Sequence, residues 1–343
     1  MIKIQNIYYM LAYAFQVLKN DGYANLSFED FDHVQDLLSA ILTKGISNQI
    51  KRGISKDYII NSDALNSPKS KLLISHTIKT NAIYRKQICC EYDDFSENIY
   101  LNQILKSTAY SLLHSDKVKQ DRKKALKKVL VFFQSVSLIT LSEIKWNGIY
   151  YQKNNATYKM LINICYLVAQ DLIFEENKNG KKFKKPVDDQ SMHRLYEKFI
   201  LEYYRKHYPE LSPQASFISW DTDDGMVTLL PTMKSDITLS YRDKVLIIDA
   251  KYYTHMLQHN SLYDKKTIHS NNLYQIFTYV KNKDIIHNGN VSGLLLYAKT
   301  DEDIVPNNKY KMSGNDILVQ TLDLNQPFKE ISKQLDSIVD IWL

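Results

Sequence analysis

The stretch PTMKSDITLSYRDKVLIIDAK, residues 231–251, decides the fold of the C-terminal half of this chain. Apolar Ile237 and Leu239 alternate with polar residues, which predicts a half-buried strand. Residues 245–248, VLII, form a short continuous apolar run that is typical of a strand buried on both faces. The four residues between the two runs, 241–244, suit the turn of a hairpin. The stretch therefore predicts two paired strands, the second of which ends in DAK, residues 249–251.

Three side chains of this hairpin indicate metal-assisted hydrolysis. Residues two apart on a strand share a face, so Asp249 and Lys251 lie together, and the partner strand brings Asp236 beside them. Two converging carboxylates suit Mg²⁺. A neighbouring lysine orients or deprotonates a water molecule, or stabilises developing negative charge. The pattern predicts phosphodiester hydrolysis. The alternative is a surface hairpin that carries these three residues by chance.

The spacing resembles the active site of the PD-(D/E)XK nuclease superfamily, with Ser235-Asp236 in place of its Pro-Asp. This resemblance implies further site residues. Glu197 lies on the amphipathic helix before the hairpin, where the superfamily often has a metal-site glutamate; an outward salt-bridging role is the alternative, and Glu202 is a weaker candidate. Gln275 and Tyr279 follow DAK at helical spacing, as in the QxxxY motif of one branch, and are placed to hold a phosphate or a base.

Length and composition predict two domains. A chain of 343 residues has room for about two. The polar, lysine-rich segment 175–186 ends in proline and predicts a boundary between residues 1–180 and 187–343. The expected fold class is α/β (α+β). A PD-(D/E)XK restriction-endonuclease-like mixed sheet flanked by helices follows a mixed helical domain, into which a β finger is inserted within residues 51–92. Its strands are expected at 52–60, 71–74 and 88–92, with a turn at 61–68.

The composition permits nucleic acid as a partner and argues against a membrane. The net charge of +6 is compatible with DNA binding. The basic run 116–128 suits either DNA phosphates or a solvated helix end, and the second reading is favoured. The longest apolar stretch, residues 129–141, is too short for a membrane span. Three cysteines without metal-binding spacing indicate a reducing compartment, so we expect a soluble, cytoplasmic protein.

Several stretches along nearly the whole chain resemble the McrC family, the nuclease subunits of the McrBC modified-cytosine-dependent restriction systems. They are NIYYMLAYA at 6–14, KRGISKDY at 51–58, NQILKS at 102–107, LLPTMKSDITL at 229–239, VLIIDAKYY at 245–253 and NLYQIFTY at 272–279. The resemblance implies an N-terminal finger domain that docks in the pore of a hexameric AAA+ GTPase, McrB, and stimulates its GTP hydrolysis. McrB binds GTP and the modified DNA, and the C-terminal domain of McrC cleaves.

Taken together, these resemblances imply Mg²⁺ held by Asp236, Asp249 and Glu197, and a catalytic set that adds Lys251 and Gln275. No GxxxxGK[ST] motif occurs in the chain, so we expect GTP to be bound by the partner alone. Two other functions remain open: a regulatory adaptor that activates a GTPase motor with a degenerate nuclease, and a stand-alone nuclease of the resolvase or repair type.

The docking element is expected within residues 50–75, where basic side chains would set the register in the pore by electrostatic complementarity. They are Lys51, Arg52, Lys56, Lys69 and Lys71. The chain departs from the family at Ser70-Lys71-Leu72, because the family tends to have a glycine followed by an arginine there. Lysine would replace a planar arginine contact, and serine would occupy a turn that favours glycine.

Overall fold

The chain folds into α-helices and short β-strands, and the computed structural model describes residues 2–15, 18, 23, 26, 29–151, 156–179, 188–253, 255–260, 265–299 and 305–343. The helices are α1 Ile4–Ala14, α2 Val34–Arg52, α3 Ile74–Lys79, α4 Tyr100–His114, α5 Gln120–Leu130, α6 Ala156–Asn179, α7 Asp188–His207, α8 Ser270–Lys283 and α9 Phe328–Trp342. The strands are β1 Asp57–Leu65, β2 Lys71–Leu72, β3 Ile88–Ser96, β4 Phe217–Ile218, β5 Met233–Lys234, β6 Ile237–Tyr241, β7 Lys244–Lys251, β8 Leu257–Asn260, β9 Lys265–Ile268, β10 Val291–Ala298, β11 Asn308–Met312 and β12 Asn315–Leu322.

A five-stranded mixed sheet in the order β11-β12-β10-β7-β6 forms the core of the C-terminal half. The central strands β7, β10 and β12 are parallel, and every residue of β10 is buried. Strands β6 and β7 form the antiparallel hairpin that the sequence predicts. Tyr241 pairs with Lys244, so the turn consists of Arg242 and Asp243 alone and is two residues shorter than predicted. The mixed sheet with its helices confirms the predicted fold class.

Gly293, on β10, allows α8 to lie close against this strand. A Cβ atom at Gly293 would approach Ile276 Cγ1 at 2.8 Å and Val280 Cγ2 at 2.9 Å, and real Cβ atoms essentially never show contacts this short. Both contacting side chains belong to α8, which packs on β10 and β7. The absence of a side chain at this position therefore helps to set the distance of α8, and of the polar residues on it, from the C-terminal end of β7.

The two compact units of the chain differ from the predicted division at residue 180. One comprises Met1–Phe31 with Phe174–Leu343, and the other comprises Asp32–Ile173. The N-terminal segment joins the C-terminal half because α1 packs its aromatic face on α7. Within this face, the ring of Tyr13 lies 5.6 Å from those of Phe199 and Phe328. The predicted boundary segment is partly helical, as the end of α6, and residues 180–187 lie outside the described residues.

The β finger is present in the unit Asp32–Ile173 as a three-stranded antiparallel sheet in the order β1-β3-β2. Its strand boundaries differ from the expected ones. Helix α2 continues to Arg52, and β1 extends through residues 61–65, which the sequence indicated as a turn. The register of β1 explains this difference, because every one of its residues is paired with β3. Ser70 adopts φ +54°, the left-handed conformation that the family resemblance associates with glycine.

The helices of the described ranges do not include one that is both long and apolar enough to cross a membrane. The longest of them, α6, carries charged residues among its apolar ones.

Candidate active site

The C-terminal end of β7 brings together the three residues that the hairpin pattern singles out. Asp249 is 1% exposed and Lys251 is 7% exposed, although both side chains are polar. Lys251 Nζ lies 2.8 Å from Asp249 Oδ2. The backbone N–H of Ala250 donates a hydrogen bond of 2.9 Å to Asp236 Oδ2 and thereby fixes this carboxyl group beside the strand. Asp236 precedes β6, so the hairpin provides both carboxyl groups.

Burial and the charges of neighbouring groups change the pKa values of Asp236, Asp249 and Lys251. Burial raises the pKa of Asp236 to about 8, and the negative charges of Asp249 and Glu197 add to the effect. Burial also raises the pKa of Asp249, against the attraction of Lys251. For Lys251, burial lowers the pKa, but the attraction of Asp249 outweighs it and the net pKa is raised. Lys251 is therefore a protonated donor, which favours charge stabilisation over deprotonation of water.

The carboxyl groups of Asp236 and Asp249 require a further proton or cation in addition to the charge of Lys251. Asp249 Oδ1 is buried and has no hydrogen-bond partner among the described residues. A buried carboxylate oxygen without a donor is unfavourable by about 1–3 kcal/mol or more. A proton on Asp236 would provide a donor, and a cation bound by both carboxylates would satisfy the same oxygen. This donor set, two hard oxygens at a buried strand end, fits Mg²⁺.

Glu197, the predicted third carboxylate, is held by a histidine. His193 Nδ1 lies 2.6 Å from Glu197 Oε1, one turn away on α7. Groups of three or more His, Cys, Asp or Glu side chains arranged to bind a metal ion are absent from the described part of the chain. The structure therefore brings Asp236 and Asp249 together but does not gather Glu197 into one cluster with them. Glu197 and Asp236 nevertheless line the same cleft, of about 310 Å³.

A chain of hydrogen bonds on α8 supports Lys251. Lys251 Nζ donates to Gln275 Oε1 at 3.1 Å, and Gln275 Nε2 donates to the hydroxyl of Tyr279 at 3.0 Å. The predicted pair on α8 thus lies at the site, and its observed contact is with the lysine. Because Gln275 accepts from Lys251, the amide limits the rotation of the amino group. Tyr279 in turn fixes the orientation of the amide.

Sequence reasoning missed two further groups at the site. His193 pairs with Glu197, and the spacing of four residues between them on a predicted helix was a signal available in the sequence.

The second group is Asn272, which accepts from the hydroxyl of Tyr253 at 3.2 Å and donates to that of Tyr297 at 2.9 Å. This second contact joins α8 to β10 and depends on tertiary packing, so no local pattern could have indicated it.

Asp236→Asn is expected to stabilise the metal-free chain increasingly as the pH rises from about 4 to about 8. The folded chain retains the Asp236 proton up to about pH 8, whereas the unfolded chain releases it near the ordinary aspartate pKa of 3.8. The unfolded state binds fewer protons in this window, so the contribution of Asp236 to stability falls as the pH rises. Thermal unfolding in EDTA at several pH values measures the effect. A difference in Tm between parent and variant that is constant from pH 4 to 8 would contradict it.

A mixed α/β sheet with two carboxyl groups and a lysine at one strand end is the arrangement that a nuclease of the PD-(D/E)XK type would require. Residues 3–298 match the family model described as McrBC 5-methylcytosine restriction system component. The chain belongs to this family. It is also 29% identical over 346 residues to the Type IV methyl-directed restriction enzyme EcoKMcrBC of Escherichia coli (strain K12), over 100% of this chain and 98% of that protein.

Two solved assemblies from Thermococcus gammatolerans show a more distant likeness. The refined half-complex from a tetradecameric assembly of McrB AAA+ hexamers with bound McrC matches with a TM-score of 0.46 and 15% identity, over 96% of this chain and 75% of that one. The cryo-EM structure of the McrBC complex matches with a TM-score of 0.39 and 15% identity, over 53% of this chain and 60% of that one. Family membership therefore rests on the sequence.

Proposed function

We propose that the chain is the McrC-like endonuclease subunit of a GTP-dependent restriction complex, and that it hydrolyses phosphodiester bonds of DNA containing modified cytosine. The main observation in support of the proposal is that Asp236, Asp249 and Lys251 lie together at the buried end of β7. Membership of the McrBC family supports a role in restriction. The intact geometry of the three residues argues against a degenerate nuclease that serves only as an adaptor.

In this proposal Asp236 and Asp249 hold Mg²⁺, and Glu197 lines the same cleft as a further carboxylate ligand. Bound Mg²⁺ would supply positive charge at the scissile phosphate. The buried oxygen of Asp249 without a donor supports this assignment.

The protein's own catalytic contribution centres on Lys251. Its amino group is protonated, buried and fixed between Asp249 and Gln275. A fixed cation in a site of low dielectric stabilises negative charge that develops on the phosphate, and it requires no reorganisation during the reaction. Gln275 and Tyr279 act as positioning residues because their hydrogen bonds end on Lys251.

The proposed partner is a McrB-like AAA+ GTPase hexamer, and the unit Asp32–Ile173 is the proposed docking part. Large apolar side chains on and next to the β finger are exposed to solvent: Tyr58, Ile60, Ile74, Ile78, Ile83, Tyr84 and Phe95. Such a concentration of exposed apolar residues is typical of a protein interaction surface. Two of the basic residues expected to set the docking register form ion pairs but remain exposed, Lys71 with Glu91 at 2.7 Å and Lys56 with Glu97 at 3.1 Å.

The double substitution Ile83→Asp, Tyr84→Ser is expected to abolish stimulation of the partner's GTPase. Both side chains are exposed, 61% and 87%, so the fold should tolerate the change. Losing an apolar anchor at an interface costs about 2 kcal/mol or more, which weakens binding by about 30-fold. Lys71→Ala is the control and should have a small effect because Lys71 already pairs with Glu91. GTP turnover by the partner is the measurement, and full stimulation by a folded double variant would contradict the assignment.

The experiment that tests the proposed function is cleavage of methylated and unmethylated plasmid by the chain together with its partner GTPase, GTP and Mg²⁺. We expect cleavage of methylated plasmid only, dependent on both GTP and Mg²⁺. The chain alone should show no preference for methylated DNA, since base reading belongs to the partner in this proposal. Stimulation of GTP hydrolysis without cleavage would favour the adaptor function instead, and cleavage independent of the partner would favour a stand-alone nuclease.

A further inference from the structure

The cleft next to Asp236 has an unusual charge distribution for a pocket that contains two carboxyl groups. Helix α7 lines it with Arg194, Glu197, Lys198 and Leu201, and the other wall consists of Ala215, Lys234, Ser235 and Asp236. Three cations thus outnumber two carboxylates even when both carboxylates are ionised. Its volume of about 310 Å³ lies near the lower end for small-ligand sites.

Two of the three cations have no acidic partner among the side chains that the structure describes. Arg194 and Lys234 are exposed, and neither forms an ion pair with a residue whose side chain the structure describes. Lys198 differs from them, because its amino group lies 3.9 Å from the centroid of the Phe15 ring. Lys234 Nζ lies 5.5 Å from the centre of the Phe217 ring, a contact that places the lysine without neutralising its charge.

The local fold holds these two cations in place. Arg194 precedes Glu197 by three residues and Leu201 by seven, so the three lie on one face of α7. Lys234 lies on β5, which pairs with β4 through the partners Phe217 and Lys234. The adjacent Ser235 is buried and exchanges hydrogen bonds with Ser216, which fixes the backbone between Lys234 and Asp236. The cleft is therefore built from ordered elements.

We propose that this cleft binds a DNA phosphodiester adjacent to the scissile one, with Arg194 and Lys234 as its ligands. The inference rests on the proposed function, since it takes the Asp236–Asp249 end of the cleft as the cleavage centre. An anion is the ligand that two unneutralised cations would recognise, and the planar guanidinium of Arg194 suits phosphate oxygens. The small apolar part of the lining, Leu201 and Ala215, offers little surface for stacking a base.

The salt dependence of DNA binding tests this assignment. All variants carry Asp249→Asn to prevent cleavage, and the probe is a short fluorescein-labelled duplex titrated with the full chain over a series of NaCl concentrations. Removing one phosphate contact reduces the slope of log K against log salt by about 0.9. We expect that reduction for Arg194→Ala and for Lys234→Ala. Arg194→Lys should retain the slope, because it keeps the charge.

Lys283→Ala is the matched control. It removes the same single charge from an exposed position at the end of α8, eight residues beyond Gln275 and so about 12 Å along the helix axis. We expect its slope to equal that of the parent. Unchanged slopes for Arg194→Ala and Lys234→Ala would overturn the proposal. Equal reductions for all three alanine variants, or no binding by the parent at low salt, would overturn it as well.

A failure of this inference is distinguishable from a failure of the proposed function. If the complete complex cleaves methylated DNA while the slopes remain unchanged, the cleft is wrongly assigned and the nuclease function stands. If the slopes change as expected but the complex does not cleave under any condition, the chain binds DNA through the cleft and the proposed hydrolysis is wrong.

Discussion

Asp249→Asn is expected to reduce DNA cleavage by the complete complex by about a thousand-fold or more. Asp249 is buried, and its Oδ1 has no hydrogen-bond partner among the described residues, so this oxygen is available to a cation and would be lost in the variant. Removing the charge would weaken cation binding and leave Lys251 buried without its ion pair. A loss of about 4 kcal/mol in transition-state stabilisation corresponds to about three orders of magnitude in rate. Single-turnover cleavage of methylated plasmid is the measurement.

Asp284→Asn provides the matched control for this prediction. Asp284 is also a buried aspartate of the same unit, 3% exposed, but it follows the last turn of α8 and accepts from Asn315 Nδ2 at 2.7 Å. Its substitution should lower thermal stability and leave the cleavage rate per folded molecule unchanged. Cleavage by Asp249→Asn at a rate within about tenfold of the parent would show that the site lies elsewhere.

Lys251→Met is expected to reduce the cleavage rate by about 100- to 1,000-fold while metal binding persists. Methionine preserves much of the length and apolar volume of the side chain but removes the charge. The loss of one preorganised donor at a developing charge has an effect of this size. The folded variant should still bind Mn²⁺, because both carboxyl groups remain and lose only their cationic neighbour. Cleavage kinetics and a metal titration, measured on the same preparation, separate the two functions.

Tyr279→Phe provides a graded comparison with Lys251→Met. It removes the hydroxyl that accepts from Gln275 Nε2 and leaves the contact between Gln275 and Lys251 in place. A positioning role predicts a reduction of less than about tenfold, consistent with the loss of one neutral hydrogen bond. Retention of full activity by Lys251→Met would exclude the proposed charge stabilisation. An equal loss in both variants would indicate that the α8 network, and not the amino group, determines the rate.

The hairpin and the meeting of Asp249 with Lys251 could be predicted because they depend on local rules. Alternation fixes which strand residues share a face, and a continuous apolar run indicates a buried strand. Predicting the position of Asp236 required one further step, the pairing of β6 with β7. In each case the partner lies a few residues away or across one tight turn. The approach of Gln275 to Lys251 was not predictable from local rules; its expected place at the site came from the family resemblance, and the contact itself depends on the packing of α8.

Features that depend on tertiary packing differ from the predictions or were not predicted. The N-terminal segment was assigned to the first domain by its position in the sequence, but the aromatic face of α1 packs on α7. Glu197 lines the same cleft as Asp236, and its pairing with His193 was not predicted. The basic residues predicted for the finger are exposed, and exposed apolar side chains such as Tyr84, which the sequence analysis did not predict, lie on or next to it. Composition indicates which residues are available, and only packing decides which of them remain exposed or unpaired.

The most direct test of the account is a crystal structure of the full chain soaked with Mn²⁺ in place of Mg²⁺, with anomalous diffraction recorded for the metal. The account predicts an anomalous peak in contact with carboxylate oxygens of both Asp236 and Asp249. It also predicts the loss of this peak in Asp249→Asn crystals treated in the same way. A peak elsewhere in the chain, or none between these two residues at saturating Mn²⁺, would contradict the proposed metal-dependent active site.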